Sequence, residues 1–160
     1  MTITSDSGPL ISFARADKLD LLQKLTRKVI ISPAVYYEIT VKGQGMVGAD
    51  IIKKASWIKL IKPENKREVE LLQNKLGSGE SEAIILAEER RAPLLVDDRK
   101  ATLEAKARGI EVISTISLLL RAKELGLIKS VKEELDKFIT AGFRLSQRLY
   151  QEALQRAKES

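Results

Sequence analysis

Short apolar runs alternate with stretches of helical spacing through the first two-thirds of this chain, and that alternation leaves few folds open. The runs at 2–5 (TITS), 29–32 (VIIS), 57–61 (WIKLI), 94–96 (LLV) and 111–113 (EVI) read as strands. Between them, residues 17–26 (DKLDLLQKLT) carry Leu19, Leu22 and Leu25 at helical spacing. Residues 66–76 (KREVELLQNKL) carry Val69, Leu72 and Leu76 in the same way. Ser32–Pro33 reads as a serine N-cap ahead of a proline at the first helical position, so SPAVYYEIT opens a helix directly after a strand. Strands and helices in this order build an α/β fold, a parallel sheet covered on both faces.

After Ser114 the strands stop. TISLLLRAKELG, VKEELDKFITAG and SQRLYQEALQRAKE all read as helices, divided by glycine or charged turns. The last carries Leu149, Tyr150, Ala153, Leu154 and Ala157 on one stripe, which either folds back on the core or packs on another chain. With 160 residues the chain is expected to form one domain, an α/β core over 1–114 and a helical extension over 115–160. The surplus of apolar helices in that extension points to a homodimer.

The chain has no cysteine and no histidine. That excludes a disulfide framework, a thiolate nucleophile, a zinc site built on Cys or His, a Ser–His–Asp triad and a histidine general base. Catalysis would fall to carboxylates, lysines, hydroxyls, cofactors or metal ions, and carboxylates favour hard cations such as magnesium or manganese. No apolar run approaches the ~18–20 residues of a membrane span, and MTITSDSG lacks the regions of a secretory signal. A cytoplasmic protein without a membrane partner is expected. Residues 1–98 hold 15 basic and 14 acidic side chains, whereas 99–160 hold 13 and 8. The positive excess in the last third suits a polyanion or an acidic partner as well as a solvated surface.

In an open parallel sheet, ligands bind beyond the carboxyl ends of the strands. Asp6 ends the first strand, Glu38 lies early in the helix after the second, Glu80 and Glu82 open the helix of LGSGESEAIILA, and Asp97 and Asp98 end the fourth strand. Each has a structural reading as a cap, a first-turn acid or a surface charge. Four separate segments converging on one edge favour a cation held through oxygen, which acidifies a bound water and steadies charge on a phosphate. Glu80 and Glu82 stand about 200° apart on a helix, so only one faces the cluster squarely, and Glu80 is preferred. Asp97 and Asp98 stay equivalent at this level, one expected to touch metal and the other to cap a helix.

Two stretches imitate other sites. GQGMVG at 43–48 fits a dinucleotide-binding glycine pattern but follows a helix instead of a strand, so it reads as a loop. Trp57 at a strand start reads as core before base-stacking platform.

The ordered blocks SDSGPLISFA, VIISPAVYYEI, LGSGESEAIILAEE and LLVDDRKA, followed by the tail ISLLLRAKELGLIKSVKEELDKFITAGFRLSQRLY, resemble the PIN-domain nucleases. The likeness is to a VapC-like, uncharacterised prokaryotic subfamily with a helical C-terminal tail, and it spans nearly the whole chain. It implies a three-layer α/β/α sandwich with a Rossmann-like central parallel sheet. It also implies a ribonuclease that uses one or two Mg2+ or Mn2+ ions, often the toxin of a toxin–antitoxin pair. The metal-site acids fall on Asp6, Glu38, Glu80 with Glu82 beside it, and Asp97 or Asp98. Ser7 and Ser78 flank these acids and are expected to assist a water or phosphate, with Arg99 and Lys100 contacting nucleic acid. The chain departs from the pattern at Thr102, where relatives often have arginine, and at Ser114–Thr115, where they often have Gly-Thr. The expected partners are RNA and an antitoxin protein. The alternatives are a weakly active RNA- or antitoxin-binding module and a DNA-directed nuclease of the same chemistry.

Overall fold

The computed structural model describes residues 1–42 and 48–160. The GQGMVG stretch lies outside the described residues except for Gly48. In chain order the elements are β1 (Thr2–Ser5), α1 (Ser7–Arg15), α2 (Leu19–Thr26), β2 (Lys28–Ile31), α3 (Pro33–Thr40), α4 (Ala49–Lys54), β3 (Ile58–Leu60) and α5 (Lys66–Leu72). They continue with α6 (Ser78–Arg90), β4 (Leu94–Leu95), α7 (Arg99–Ala107), β5 (Val112–Ile113), α8 (Thr115–Glu124), α9 (Val131–Thr140) and α10 (Gln147–Arg156).

The strands form a five-stranded parallel sheet in the order β3-β2-β1-β4-β5, flanked by helices. Its inner strands are buried because helices cover both faces: Ile3, Val29, Ile30, Ile31, Leu94 and Leu95 supply the apolar contacts, with Thr4 and Ser5 buried beside them. The chain lays down β2 and β3 on one side of β1, then β4 and β5 on the other. The order therefore reverses at β1, and the crevice that this reversal opens lies beyond the carboxyl ends of β1 and β4.

Strand limits differ slightly from the sequence reading. β2 starts at Lys28 and stops before Ser32, whose side chain turns to accept the Val35 N–H at 3.2 Å and caps α3 ahead of Pro33. That ends the strand where the helix begins. β4 is only two residues long, although the Val96 N–H still donates to the Ile113 carbonyl at 3.0 Å. Trp57 precedes β3 and packs half-buried against the core.

The C-terminal helices are fused to this core. Leu118, Leu119, Ala122, Val131, Leu135 and Phe138 are buried in the same cluster as the sheet residues, and Phe138 meets Phe13 of α1 edge-on at 5.0 Å. Ala153, Leu154 and Ala157 are buried too, so the stripe of the last helix folds back on its own chain. No helix among the described residues is long and apolar enough to cross a membrane.

Glu159 latches the end of the chain. It accepts from the Lys123 ammonium (2.9 Å), the Ser130 hydroxyl (3.0 Å) and the N–H groups of Val131 (2.8 Å) and Lys132 (3.0 Å), closing the open N-terminus of α9. Partial burial pushes its pKa up, but Lys123 and the three other donors outweigh it and hold the carboxyl at about 2. The contribution to stability is complete above the unfolded value near 4.5 and is lost as pH falls toward 2. Glu159→Gln is expected to cost about 1–2 kcal/mol at pH 7, lowering the melting temperature by a few degrees, and to narrow its gap to wild type near pH 3. Thermal melts at the two pH values check this.

Candidate active site

Asp6 stands at the carboxyl end of β1, in the crevice. By position it is the N-cap of α1, yet its side chain caps nothing. Only 7% of the residue is exposed, and Oδ1 is buried with no hydrogen-bond partner. A buried, unpaired carboxylate is costly. Burial accordingly pushes its pKa from 3.8 to about 7; the Ser7 N–H lowers it, and the charges of Glu80, Glu38 and Asp98 raise it further. Those three acids are thus the ones whose fields reach Asp6, and they arrive on α3, α6 and the end of β4.

Glu38 lies in the second turn of α3, which packs on α6. Its Oε1 accepts from the Ser7 hydroxyl at 3.1 Å, tying α3 to the first residue of α1. Glu80 is in the first turn of α6, where its Oε1 accepts the Gly77 N–H at 3.1 Å. Its pKa is raised, first by burial and against the Gly77 N–H, then by the charge of Asp98, a hydrogen bond with Asp98 and the charge of Glu38. Like charges crowded in this way disfavour ionising every member of the cluster together.

The paired aspartates separate. Asp98 joins the cluster and also caps α7, Oδ2 accepting the Ala101 N–H at 2.9 Å. Asp97 turns the other way. Its Oδ1 accepts the Thr115 N–H at 2.9 Å and its Oδ2 the Thr115 hydroxyl at 2.6 Å. Desolvation of the carboxyl raises its pKa while the Thr115 hydroxyl and N–H lower it, although the residue as a whole keeps an exposed side. Asp97 therefore ties the end of β4 to the N-terminus of α8 and is not among the charges acting on Asp6. Glu82 is likewise drawn away, its Oε1 accepting the Ala34 N–H at 2.9 Å in the first turn of α3.

The remaining candidates are peripheral. Ser78 opens α6 and accepts from the Gln73 amide at 3.4 Å, while Arg99 and Lys100 sit exposed in the first turn of α7. Two residues went unread in the sequence. Gly79 is buried against Glu38: a Cβ built on it would overlap Glu38 Oε1 and stand 2.8 Å from Cδ. Thr115, noted only as part of a departure, supplies both partners of Asp97. The signal available for Gly79 was a glycine inside a helix between two candidate acids, where helix propensity disfavours it.

These residues suit a hard cation. The orphaned Asp6 Oδ1 wants a charged partner, the donor set is all oxygen, and a cation would offset the burial and the repulsion that together raise Asp6 and Glu80. Among the described residues, however, no three acidic groups are already drawn together as a finished cage. Ser7, Gly77 and Ala101 hold the carboxylates in place, at the rim of the crevice.

A family model described as a PIN domain matches residues 2–159. No match is found among curated proteins. Among solved structures, the chain is similar to a PilT N-terminus domain protein from the hyperthermophilic archaeon Sulfolobus solfataricus P2, at 20% identity and a TM-score of 0.52, covering 76% of this chain and 93% of that one. At that identity the likeness speaks to the fold.

Proposed function

Because the chain belongs to the PIN-domain family, whose fold is generally a nuclease fold, we propose that it is a divalent-metal-dependent endoribonuclease. The observation that carries this reading is Asp6, a buried carboxylate with an orphaned oxygen at the switch point of the sheet, facing the charges of Glu80, Glu38 and Asp98. Asp6, Glu38, Glu80 and Asp98 would hold Mg2+ or Mn2+. The ion supplies Lewis acidity and charge neutralisation for phosphodiester hydrolysis. The chain's own residues supply position. Ser7 orients Glu38, the Gly77 N–H orients Glu80, and the Ala101 N–H orients Asp98. Asp97 acts through Thr115 by fixing the strand end that carries Asp98.

The experiment is cleavage of a fluorescent single-stranded oligoribonucleotide with magnesium or manganese, with EDTA, and with Asp98→Asn and Asp97→Asn. Cleavage is expected only with metal. Asp98→Asn should lower it by more than about 100-fold, and Asp97→Asn by no more than about tenfold. Equal cleavage under all conditions removes the proposal, and a DNA competitor that inhibits as well as RNA moves it to a DNA-directed nuclease. A binding module for RNA or an antitoxin is the second reading. It draws on the carboxylates being held apart without a finished cage, and it predicts RNA binding without metal-dependent turnover. A toxin role is proposed on the family likeness, with an antitoxin protein as partner.

Self-association is proposed as well. Most apolar residues of the tail are used inside the chain, so a homodimer now rests on exposed Leu125, Leu127 and Ile139. Light scattering at micromolar concentration is expected to give a dimer, and a monomer removes the proposal.

A further inference from the structure

On the β5 side of the same sheet edge, a groove of about 550 Å3 opens between α7, the first turn of α8 and α10. It begins at Asp97, the neighbour in sequence of Asp98. Arg99 and Lys106 of α7 line it, together with Arg144 and Arg156 of the tail. Among the described residues, none of these four cations makes an ion pair. Two cations outside the groove are held by acids: Arg108 by Glu68 and Glu88, and Lys123 by Glu159. The groove has only two acids, Glu152 and Asp97, and both oxygens of Asp97 are taken by Thr115.

Unpaired cations gathered along one groove repel one another and attract a polyanion. The volume is that of a site for a drug-sized ligand, hence for one or two nucleotides and not for a duplex. Half-buried Phe143 adds an aromatic ring at the wall, a surface that serves any base.

We propose that this groove seats the single-stranded segment flanking the scissile phosphate, with Arg144 and Arg156 on its backbone phosphates. This deepens the nuclease reading and rests on it for the direction of approach. Arg144 and Arg156 touch none of the clustered acids, so they bind substrate without entering the metal site.

The test measures binding of a fluorescent single-stranded oligoribonucleotide in EDTA across roughly 50–200 mM salt. Wild type and Arg144→Ala/Arg156→Ala are compared. Two lost phosphate contacts are expected to flatten the slope of log affinity against log salt by about 1.4. Arg144→Lys/Arg156→Lys, which keeps the charges, is expected to restore it. Hydrolysis of bis(4-nitrophenyl) phosphate with manganese, a probe too small to need the groove, is expected to be unchanged in both variants.

An unchanged slope in the alanine variant overturns the groove and leaves the nuclease proposal standing. An alanine variant that also loses probe hydrolysis overturns the separation between groove and acids. A slope that flattens as expected in the alanine variant, with no hydrolysis by wild type, keeps the groove and removes the nuclease. A dimer that the alanine variant turns into monomer assigns the groove to a second copy of the chain and overturns the inference.

Discussion

Asp6→Asn is expected to abolish metal-dependent cleavage while making the metal-free protein more stable. The two effects have one cause. At pH 8 the wild-type carboxylate is ionised in a site that gives Oδ1 no partner and surrounds it with the charges of Glu80, Glu38 and Asp98. A pKa moved from 3.8 to about 7 corresponds to a destabilisation of roughly 4 kcal/mol at most. Asparagine keeps the shape and removes the charge, so a gain on the order of 2–4 kcal/mol is expected in EDTA. For a chain of this size that is roughly 5–10 °C in melting temperature. A residue kept for packing or capping would lose stability on substitution. A gain marks a group retained for a ligand.

The pH dependence follows from the same shift. Between pH 3.8 and about 7 the native state holds a proton that the unfolded chain has released. Wild-type stability therefore declines as pH rises through that window, with the loss complete above about 7. Asp6→Asn lacks this decline, so the melting curves of the two proteins diverge between pH 5 and pH 8. Parallel curves would contradict the burial of a titrating carboxyl at this position.

Gly79→Ala is expected to separate activity from stability in another way. Gly79 lies in the first turn of α6, where alanine is up to about 1 kcal/mol more favourable than glycine. Its new Cβ would overlap Oε1 of Glu38 and press on Cδ at 2.8 Å. The obstacle is the end of a flexible side chain, so the fold accommodates it by moving the Glu38 carboxylate. That carboxylate then leaves both the Ser7 hydroxyl and the field of Asp6. Cleavage is expected to fall about 10–100-fold with an unchanged or higher melting temperature. Full activity in Gly79→Ala would mean that Glu38 has no task at its present position.

Much of the architecture was legible because each element carries its own local signal. The apolar runs mark the strands. Ser32 and Pro33 mark the start of α3 through cap chemistry that acts within three residues. The acids at the strand ends were legible as a group, since the α/β pattern alone says which edge they share. Asp97 and Asp98 could not be told apart, because an extended chain sends neighbours to opposite sides and only the position of Thr115 says which side is which. Gly79 was hidden for a similar reason: its role is a close approach between two helices, which no spacing within one helix reveals. The tail was legible only as alternatives, folding back on the core or packing on another chain. Its apolar stripes read as a surplus, but Phe138 and Leu135 close over α1 and the core of the same chain.

The most direct test is a calorimetric titration of the metal-free protein with manganese at pH 6.5, repeated in buffers of different ionisation enthalpy to count protons. If Asp6, Glu38, Glu80 and Asp98 form the cation site, wild type binds manganese and releases a proton from Asp6. Asp6→Asn and Asp98→Asn lose that binding, while Asp97→Asn retains it. No binding at millimolar manganese, or binding that survives both Asp6→Asn and Asp98→Asn, would contradict the account.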